Sequence, residues 1–468
     1  MDISFGTDGW RARMDESFNE GNVRLVAQAI AQYIKAQSAT TKDLVIGYDT
    51  RLNSREFARF CSEVMSANNI PVYLAHRAMP TPITAFAITL FEAAGAIMIT
   101  ASHNPGEYNG IKFIPDYAGP ASPEITDQIV KNISSLSPAE ILSDKSNSLA
   151  VPINPVPDYL SYLRKIVDFE VFKSKPVKVV IDPMYGAAYE IADRIFEAAG
   201  CVVTCIHNHP DPSFGGSLPD PSRENLEELI GLIDSKGADI GVALDGDADR
   251  FGAVDSEGVY IRANQILALV SDYLIRERGL NGILVRSIAT THLLDAIAAK
   301  NHIELYETPR VGFKYIADVV RKEKVILGGE ESGGLCVQGS IPEKDGILAD
   351  LLLAELTAKR GKPLSAQLED LHKEYGRYYD TRLDLEVHGE KKAALLTKLA
   401  EDPPRAIGDK AIEEIDSRDG IRYKLTGGDW ILARPSGTEP LVRIYIEARS
   451  QEGFDRLQSF AKETVDRI

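Results

Sequence analysis

Three aspartates stand at alternate positions in the segment DGDADR: Asp245, Asp247 and Asp249. They directly follow an apolar run that is typical of a buried strand, so packing does not account for them. Ionised carboxylates this close repel one another, and a cation must balance them. Oxygen ligands of this kind suit Mg²⁺, which keeps further positions for water or phosphate. The segment therefore predicts a magnesium site, with a solvated acidic turn as the alternative.

A calcium-binding EF-hand loop would show a similar acidic spacing. Such a loop needs a glycine at its sixth position and a glutamate at its twelfth, where this chain has Arg250 and Ser256. The residues on either side are also typical of strands rather than helices. The spacing thus favours Mg²⁺ over an EF-hand.

A serine in the segment TASHNPGEYNGIK, residues 100–112, is the candidate nucleophile. Ser102 directly follows another predicted strand, where an exposed nucleophile would lie. His103 and Lys112 could move protons or balance phosphate charge. The Gly-x-Ser-x-Gly pattern of hydrolases is absent. A serine helix cap followed by a proline-marked turn is the alternative that this loop alone leaves open.

Two later loops combine glycines with polar side chains. GGEESGG, residues 328–334, offers carboxylates and a hydroxyl that could bind vicinal sugar hydroxyls. RPSGTEP, residues 434–440, gathers side chains and backbone amides that can cradle a phosphate. For each loop, a solvated glycine-rich turn is the alternative. The residues of the second set are Arg434, Ser436, Gly437 and Thr438.

A possible zinc cluster is disfavoured. Cys201, Cys205, His207 and His209 lie close in sequence, but their spacing is unlike that of a standard zinc finger. Buried thiols are the better interpretation.

The elements that carry these loops repeat three times along the chain. Each repeat is a strand, a helix, a strand, a second helix and a third strand that runs into a polar loop, which predicts α/β domains. In such domains ligands bind beyond the carboxyl ends of the strands. The predicted first strands are Leu44–Tyr48, Val177–Ile181 and Ile283–Val285, and the third strands are Ala96–Thr100, Asp239–Leu244 and Val325–Leu327.

The last part of the chain has a different pattern. From about Tyr375 it predicts a strand, a helix, a strand pair around Gly427-Gly428 and a final helix, an α+β domain. We therefore predict three similar α/β domains with mixed, largely parallel sheets plus a C-terminal α+β domain. The predicted boundaries are 1–150, 151–255, 256–374 and 375–468.

The composition of the chain limits the classes of molecule that it is expected to bind. The chain has 468 residues and a formal net charge of −17, without a long basic run. Nucleic acids and anionic membranes attract clustered Lys and Arg, so neither is expected as a partner. The opening residues lack an apolar signal core, and no apolar run is long enough for a membrane span. The four cysteines form no Cys-x-x-Cys pair, which fits a reducing cytoplasm.

Taken in order, TASHNP, DGDADR, GGEESGG and RPSGTEP resemble the α-D-phosphohexomutase superfamily. The resemblance covers the whole chain, from the opening FGTDGWR, and implies four domains around a central cleft. It implies a phosphorylated Ser102, whose phosphate oxygen completes the Mg²⁺ shell of the three aspartates. Arg11, His103 and Lys112 would surround the transferring group. The implied substrate-binding residues are Glu330 and Ser332 for the sugar, Arg434, Ser436, Gly437 and Thr438 for the phosphate, Arg250 beside the metal, and Lys314.

The resemblance also implies the reaction. Glucose 1-phosphate and glucose 6-phosphate would interconvert through phosphoserine and a glucose 1,6-bisphosphate intermediate. GGEESGG followed by IPEKDG resembles glucose-directed members, whereas dual-specificity enzymes tend to have Met in place of Glu331 and His in place of Gly334. A mannose or dual-specificity mutase, a glucose 1,6-bisphosphate synthase and a non-catalytic sugar-phosphate sensor are the alternatives. A cytoplasmic monomer or weak dimer is expected.

Overall fold

The computed structural model describes residue 3 and residues 5–6, 8–37, 42–387, 389–435 and 441–466. Over these ranges the chain forms four sheets that follow one another in sequence. One continuous apolar core joins the first three sheets, and the fourth sheet has a core of its own.

The first sheet has six strands in the order β1-β5-β4-β2-β3-β6. The three successive pairings among β4, β2, β3 and β6 are parallel, and β5 runs antiparallel to both β4 and β1. The strands are β1 (Trp10–Arg13), β2 (Leu44–Tyr48), β3 (Val72–Ala75), β4 (Gly95–Ile99), β5 (Tyr108–Pro115) and β6 (Ala150–Ile153). The helices are α1 (Glu20–Gln37), α2 (Ser54–Ala67), α3 (Thr81–Phe91) and α4 (Pro123–Ser135).

The second sheet has five strands in the order β11-β10-β9-β7-β8, parallel among β7, β8 and β9 and antiparallel at β10 and β11. The strands are β7 (Lys178–Asp182), β8 (Val202–Cys205), β9 (Ile240–Leu244), β10 (Phe251–Asp255) and β11 (Tyr260–Ile261). The helices are α5 (Val156–Leu163), α6 (Glu170–Ser174), α7 (Ala192–Ala199) and α8 (Glu227–Lys236).

The third sheet has the order β13-β12-β14-β15, with only the last pairing antiparallel. Its strands are β12 (Ile283–Arg286), β13 (Glu304–Glu307), β14 (Val325–Glu330) and β15 (Gly334–Val337). The helices are α9 (Ala263–Arg276), α10 (Leu293–Lys300), α11 (Phe313–Val320), α12 (Gly346–Arg360) and α13 (Leu364–Tyr375). Helix α12 packs on β9 and β10 as well as β15, which explains why it is buried nearly all round.

The fourth sheet is entirely antiparallel, in the order β16-β21-β20-β19-β18-β17. Its strands are β16 (Tyr379–Glu386), β17 (Ala406–Ile407), β18 (Lys410–Asp416), β19 (Ile421–Leu425), β20 (Trp430–Pro435) and β21 (Leu441–Ala448), with helices α14 (Glu390–Glu401) and α15 (Gln451–Asp466). The predicted class, three α/β domains followed by an α+β domain, is confirmed.

Most predicted strands lie within a residue of the observed ones, but the prediction that the whole segment GGEESGG is a loop is wrong. Strand β14 continues to Glu330, so Gly328 and Gly329 are strand residues. A Cβ at Gly328 would lie 2.6 Å from Ile316 of α11, and one at Gly329 would lie 2.3 Å from Leu267 of α9. Glycine is therefore needed here because helices press on both positions of the strand. Only the turn between β14 and β15 is left as the loop.

Two further details differ from the sequence predictions. Lys112 lies on β5, not in a loop, and the pair β17 and β18 was missed because its mixed polar residues lack a clear strand pattern. The domain boundaries stay predictions. The second sheet includes β11 at Tyr260–Ile261, beyond the predicted boundary at 255.

Candidate active site

The acidic segment DGDADR forms a tight turn between β9 and β10. The side chains of Asp245, Asp247 and Asp249 are almost fully buried, and each offers one oxygen within 4.8 Å of the others. Among the residues that the structure describes, no other group of three or more His, Cys, Asp or Glu is arranged to hold a metal ion. The zinc alternative at Cys201 is therefore not supported.

Two of these aspartates have one oxygen bonded and one oxygen free of hydrogen bonds. Asp247 Oδ2 accepts hydrogen bonds from Thr81 Oγ1 at 2.6 Å and Lys112 Nζ at 2.9 Å. Asp249 Oδ2 lies 2.8 Å from Lys112 Nζ and 3.0 Å from Lys344 Nζ. The Oδ1 atoms of Asp247 and Asp249 are buried without a hydrogen-bond partner. A buried carboxylate oxygen is costly unless it is bonded, so the pair fits a hard cation such as Mg²⁺.

The electrostatics of the turn agree with a cation site. Burial and the charges of Asp247 and Asp249 raise the pKa of Asp245 well above its usual range. Burial acts in the same direction on Asp249, but Lys112 and Lys344 outweigh it and lower the pKa of that carboxyl. Lys112 and Lys344 thus balance Asp247 and Asp249 but do not contact Asp245, and Asp245 resists ionisation.

Ser102 is next to this turn. It follows β4 and is separated from that strand by Thr100 and Ala101. Its backbone has a left-handed φ of 52°, which is an uncommon conformation for a residue other than glycine. Ser102 Oγ donates a hydrogen bond to Asp245 Oδ2 at 2.7 Å, and its backbone N donates to Thr100 Oγ1 at 2.9 Å. The candidate nucleophile and the candidate metal ligands therefore form one site.

The predicted neighbours of Ser102 are also present. His103 Nδ1 lies 3.4 Å from Ser102 Oγ, and burial, reinforced by Arg250 and Arg11, holds the pKa of His103 well below its usual range. Arg11 Nη1 donates to Asn104 Oδ1 at 2.9 Å. Burial opposes the charge on Lys112, but the carboxylates around it raise its pKa well above the usual range. His103 is therefore neutral near neutral pH, whereas Lys112 stays charged.

The β14–β15 turn presents the candidate sugar-binding groups. Ser332 Oγ donates to Glu330 Oε1 at 2.8 Å, and burial together with Glu331 raises the pKa of Glu330 to about 7. Glu331 Oε2 accepts a hydrogen bond from Ser287 Oγ at 2.9 Å. Glu331 and Ser332 line the large cavity between the sheets, whereas Glu330 does not.

A cavity of about 440 Å³ lies between all four sheets. Predicted residues His103, Arg250 and Ser332 contribute to its wall. Sequence reasoning missed the other basic and aromatic residues of the wall, which come from the second, third and fourth segments of the chain. They are Arg223, Phe251, Tyr260, Arg262, Arg382, Trp430 and Tyr445.

The structure does not bring every predicted residue to this cavity. Lys314 lies on α11 outside the cavity wall, and burial lowers its pKa. Arg434 is also outside the wall and donates from Nε to Asp419 Oδ2 at 2.8 Å. The remaining predicted phosphate-binding residues, Ser436, Gly437 and Thr438, lie outside the described residues.

Three more residues of the site were missed. Asp8 lies 2.9 Å from Lys112 Nζ and 3.1 Å from Lys344 Nζ, and Thr81 bonds Asp247. Asp8 and Lys344 lie in the segments FGTDGWR and IPEKDG, which the sequence analysis had singled out. Their charges could therefore have indicated that both residues belong to the site. Thr81 has no such signal, because it begins an ordinary helix far from the metal loop in sequence.

No helix in the described parts of the chain is long and apolar enough to cross a membrane.

Comparison with known families gives matches along the whole chain. The three alpha/beta/alpha domains of phosphoglucomutase/phosphomannomutase, domains I, II and III, match residues 2–140, 157–258 and 262–375. The C-terminal domain of the same family matches residues 385–463.

Individual proteins are similar over nearly their full length. A phosphoglucomutase/phosphomannomutase from Thermococcus kodakarensis is 33% identical, over 96% of this chain and 95% of its own length. A protein from Methanothermobacter thermautotrophicus named "probable phosphoglucosamine mutase" is 33% identical, over 96% of this chain and 94% of its own length. The solved structure of the Paramecium phosphoprotein pp63/parafusin, a phosphoglucomutase in an open form, has a TM-score of 0.82 and 26% identity, covering 99% of this chain and 96% of that one.

Proposed function

This chain belongs to the phosphoglucomutase/phosphomannomutase family of mutase enzymes, and on that premise we propose that it interconverts glucose 1-phosphate and glucose 6-phosphate. The observation that carries the proposal is the contact of Ser102 Oγ with Asp245 Oδ2, beside two aspartates with unbonded buried oxygens. A nucleophile in contact with a divalent-cation site is what phosphoryl transfer requires.

The proposed transfer starts from phosphorylated Ser102. The bond from phosphorus to Ser102 Oγ breaks as a new bond forms to the free hydroxyl of the hexose phosphate. Neutral His103 is the proposed acceptor of the hydroxyl proton and passes the same proton to Ser102 Oγ, which lies 3.4 Å from its Nδ1, as that oxygen leaves phosphorus. Lys112, which stays charged, balances the phosphate. Mg²⁺, on which the family depends, supplies further charge neutralisation when it is bound by the aspartates.

The product of this step is a bisphosphate. It turns over in the cavity, and its other phosphate returns to Ser102, so that glucose 1,6-bisphosphate is the intermediate. One transfer centre and one remote phosphate-binding loop serve both orientations. The cavity between four sheets supports this proposal, because a phosphoserine open to water would be lost to hydrolysis.

Glucose is the proposed sugar. The support is the hydrogen-bonded pair of Glu330, at the end of β14, and Ser332, on the β14–β15 turn, in the segment GGEESGG that resembles glucose-directed members. Relatives of similar identity carry phosphomannomutase and phosphoglucosamine mutase names, so the sugar has to be measured. The proposed setting is a reducing cytoplasm, which suits four free cysteines, and the proposed form is a monomer or weak dimer.

The test is turnover of glucose, mannose and glucosamine 1-phosphates with Mg²⁺, alongside Ser102→Ala and peptide mass mapping. Glucose 1-phosphate should give the highest kcat/KM, phosphate should map to Ser102, and Ser102→Ala should be folded and inactive. A preference for another sugar would overturn the glucose assignment. An active Ser102→Ala enzyme would overturn the phosphoserine mechanism. Release of bisphosphate as the main product would favour a glucose 1,6-bisphosphate synthase, and no turnover at all would favour a sensor.

A further inference from the structure

Arg51 is a buried arginine that follows β2 and lies beneath the Ser102 loop. Its side chain is 0% exposed. It donates hydrogen bonds to four backbone carbonyls of the loop: Ser102 O, Asn104 O and Pro105 O, each at 2.6 Å, and Tyr108 O at 3.1 Å. A single side chain therefore spans the loop from its nucleophile to the start of β5.

Only arginine can make this set of contacts. Each terminal nitrogen of Arg51 bonds two carbonyls, and Nε donates to Asp49 Oδ2 at 3.1 Å. All five N–H groups of the guanidinium are thus used in one planar arrangement. A lysine has three donors that diverge from one point and could not bond the same acceptors together.

The guanidinium is itself held in place from two sides. Asp49 also accepts hydrogen bonds from the backbone N of Arg51 at 3.0 Å and from Ser54 Oγ at 2.7 Å, and so is fixed to the first turn of α2. The ring of Phe214, from the second segment of the chain, lies 4.8 Å from the guanidinium carbon. Arg51 therefore connects the rigid end of β2 to the Ser102 loop and to the neighbouring domain.

The loop needs such support. Ser102 has a left-handed φ of 52°, which persists only where surrounding contacts hold it. The loop's own backbone bonds are few: Asn104 N to Ala101 O and Tyr108 N to Pro105 O, both at 3.0 Å. Without Arg51, the four loop carbonyls would lose the hydrogen bonds that its guanidinium donates.

We propose that Arg51 is a positioning residue, which fixes Ser102 Oγ against Asp245 and keeps the phosphoserine in line for transfer. This inference rests on the function proposed above. Arg51 acts through the loop backbone and does not touch the substrate. A merely structural role would lower stability only, whereas a positioning role also slows the chemical step.

The test compares Arg51→Lys with Arg24→Lys in the full-length protein. Arg24 is a matched control, because it lies in the same domain, is 11% exposed and bonds Glu63, Glu20 and Ser143 away from the loop. We expect Arg51→Lys to lower kcat by roughly ten- to a hundredfold, with KM little changed, because small misplacements of a reacting group carry costs of this size. Arg24→Lys should lower the melting temperature to a similar extent and leave kcat near wild type.

Two further readouts do not depend on turnover. Amide hydrogen exchange of residues 101–108 should speed up in Arg51→Lys but not in Arg24→Lys. Phosphate on Ser102 should be lost to water faster in Arg51→Lys. Wild-type kcat, phosphoserine lifetime and loop exchange in a folded Arg51→Lys enzyme would overturn the inference.

Asp49→Asn covers the case in which Arg51→Lys does not fold. It keeps the shape of Asp49 but weakens its hold on Arg51 Nε, so the same changes are expected in smaller degree, and their absence would equally overturn the inference. If the wild type turns over no hexose phosphate, the proposed function fails instead, and loop exchange still reports on Arg51.

Discussion

The metal turn, by which we mean the β9–β10 turn with the candidate ligands Asp245, Asp247 and Asp249, is contacted by a hydrogen-bond donor from another domain. That donor determines which oxygen of Asp247 is left for a cation. Thr81 is the first residue of α3, and its Oγ1 bonds Asp247 Oδ2 while its backbone N bonds the Asp247 carbonyl. Asp247 is thereby held in one orientation, with Oδ1 buried and without a hydrogen-bond partner. Hydrogen-bond partners of metal ligands usually fix the orientation in which those ligands bind the ion.

Replacing Thr81 with valine should therefore weaken Mg²⁺ binding. Valine keeps the shape of threonine but removes the hydroxyl donor. The Asp247 side chain can then adopt more conformations, and Mg²⁺ binding has to restrict it to one. We expect the Kd for Mg²⁺ to rise about tenfold, measured by calorimetric titration of the full-length protein.

The control is Thr84→Val, in the same helix. Thr84 is equally buried, but its hydroxyl faces Met98 Sδ at 3.7 Å and not the metal turn. Its Kd for Mg²⁺ should match that of the wild type. Equal affinities in Thr81→Val and wild type would show that the Thr81 contact does not orient the ligand.

At the level of elements, α12 supports the metal turn from below. Gly346 is its first residue, and the backbone N of Gly346 donates to Ala248 O at 3.1 Å. A Cβ added at Gly346 would lie 2.6 Å from Arg250 O and 2.9 Å from Ala248 O. Neither carbonyl can move without moving the turn that carries the aspartates.

Gly346→Ala should thus lose both stability and Mg²⁺ affinity. Alanine normally favours a helix over glycine, but overpacking against backbone costs about 1–3 kcal/mol and outweighs that gain. Gly231→Ala is the matched control: it lies in α8 with no atom within 4 Å of the added Cβ, and it should stabilise the protein by about 0.5–1 kcal/mol. Denaturant unfolding of both variants checks the opposite signs, and a stabilised Gly346→Ala would contradict the packing argument.

The sequence predicted the parts of this site that lie at strand ends. Ser102 and Asp245 each follow a buried strand that a run of apolar residues marks clearly, and their chemistry is visible in the residue types. The meeting of the two loops rested on the family resemblance, since the residues alone do not say which strand ends face each other.

Contacts made by ordinary elements could not be predicted. Thr81 lies 166 positions from Asp247, and its segment is typical of any helix that begins after a proline. Arg51 was equally hidden, because its acceptors are backbone carbonyls, which every residue has. The extent of β14 was missed for a different reason: glycines favour loops by propensity, and only the packing of α9 and α11 requires them in a strand.

At the scale of the whole molecule, the last domain is fixed to the third by polar contacts that are buried or partly buried. Glu307 on β13 accepts bonds from Arg422 Nη1 at 2.7 Å and Nη2 at 2.8 Å. Glu447 on β21 accepts from Trp430 Nε1 and from the backbone N of His292, both at 2.9 Å. These contacts hold the fourth sheet against one side of the cavity, where its residues Arg382, Trp430 and Tyr445 form part of the wall.

Arg434 is the residue through which this arrangement can be tested. It is the penultimate residue of β20 and the first residue of the predicted phosphate loop, is 17% exposed, and pairs with Asp419. If Arg434 holds the phosphate that is not being transferred, Arg434→Ala removes a charge-assisted contact that contributes about 1.5–3 kcal/mol to binding. The KM for glucose 1-phosphate should then rise by roughly ten- to a hundredfold.

The same variant should leave Mg²⁺ binding and the phosphate on Ser102 unchanged, because those belong to other domains. Steady-state kinetics of Arg434→Ala, beside a Mg²⁺ titration of the same sample, separates the two effects. Arg418→Ala is the control, since Arg418 lies in the same domain but pairs with Asp416 and Glu307, and its KM should stay near that of the wild type. An unchanged KM with lost Mg²⁺ affinity in Arg434→Ala would mean that this end of β20 serves the metal centre or the fold, and that the phosphate is held by other basic residues of the cavity, such as Arg382 or Arg262.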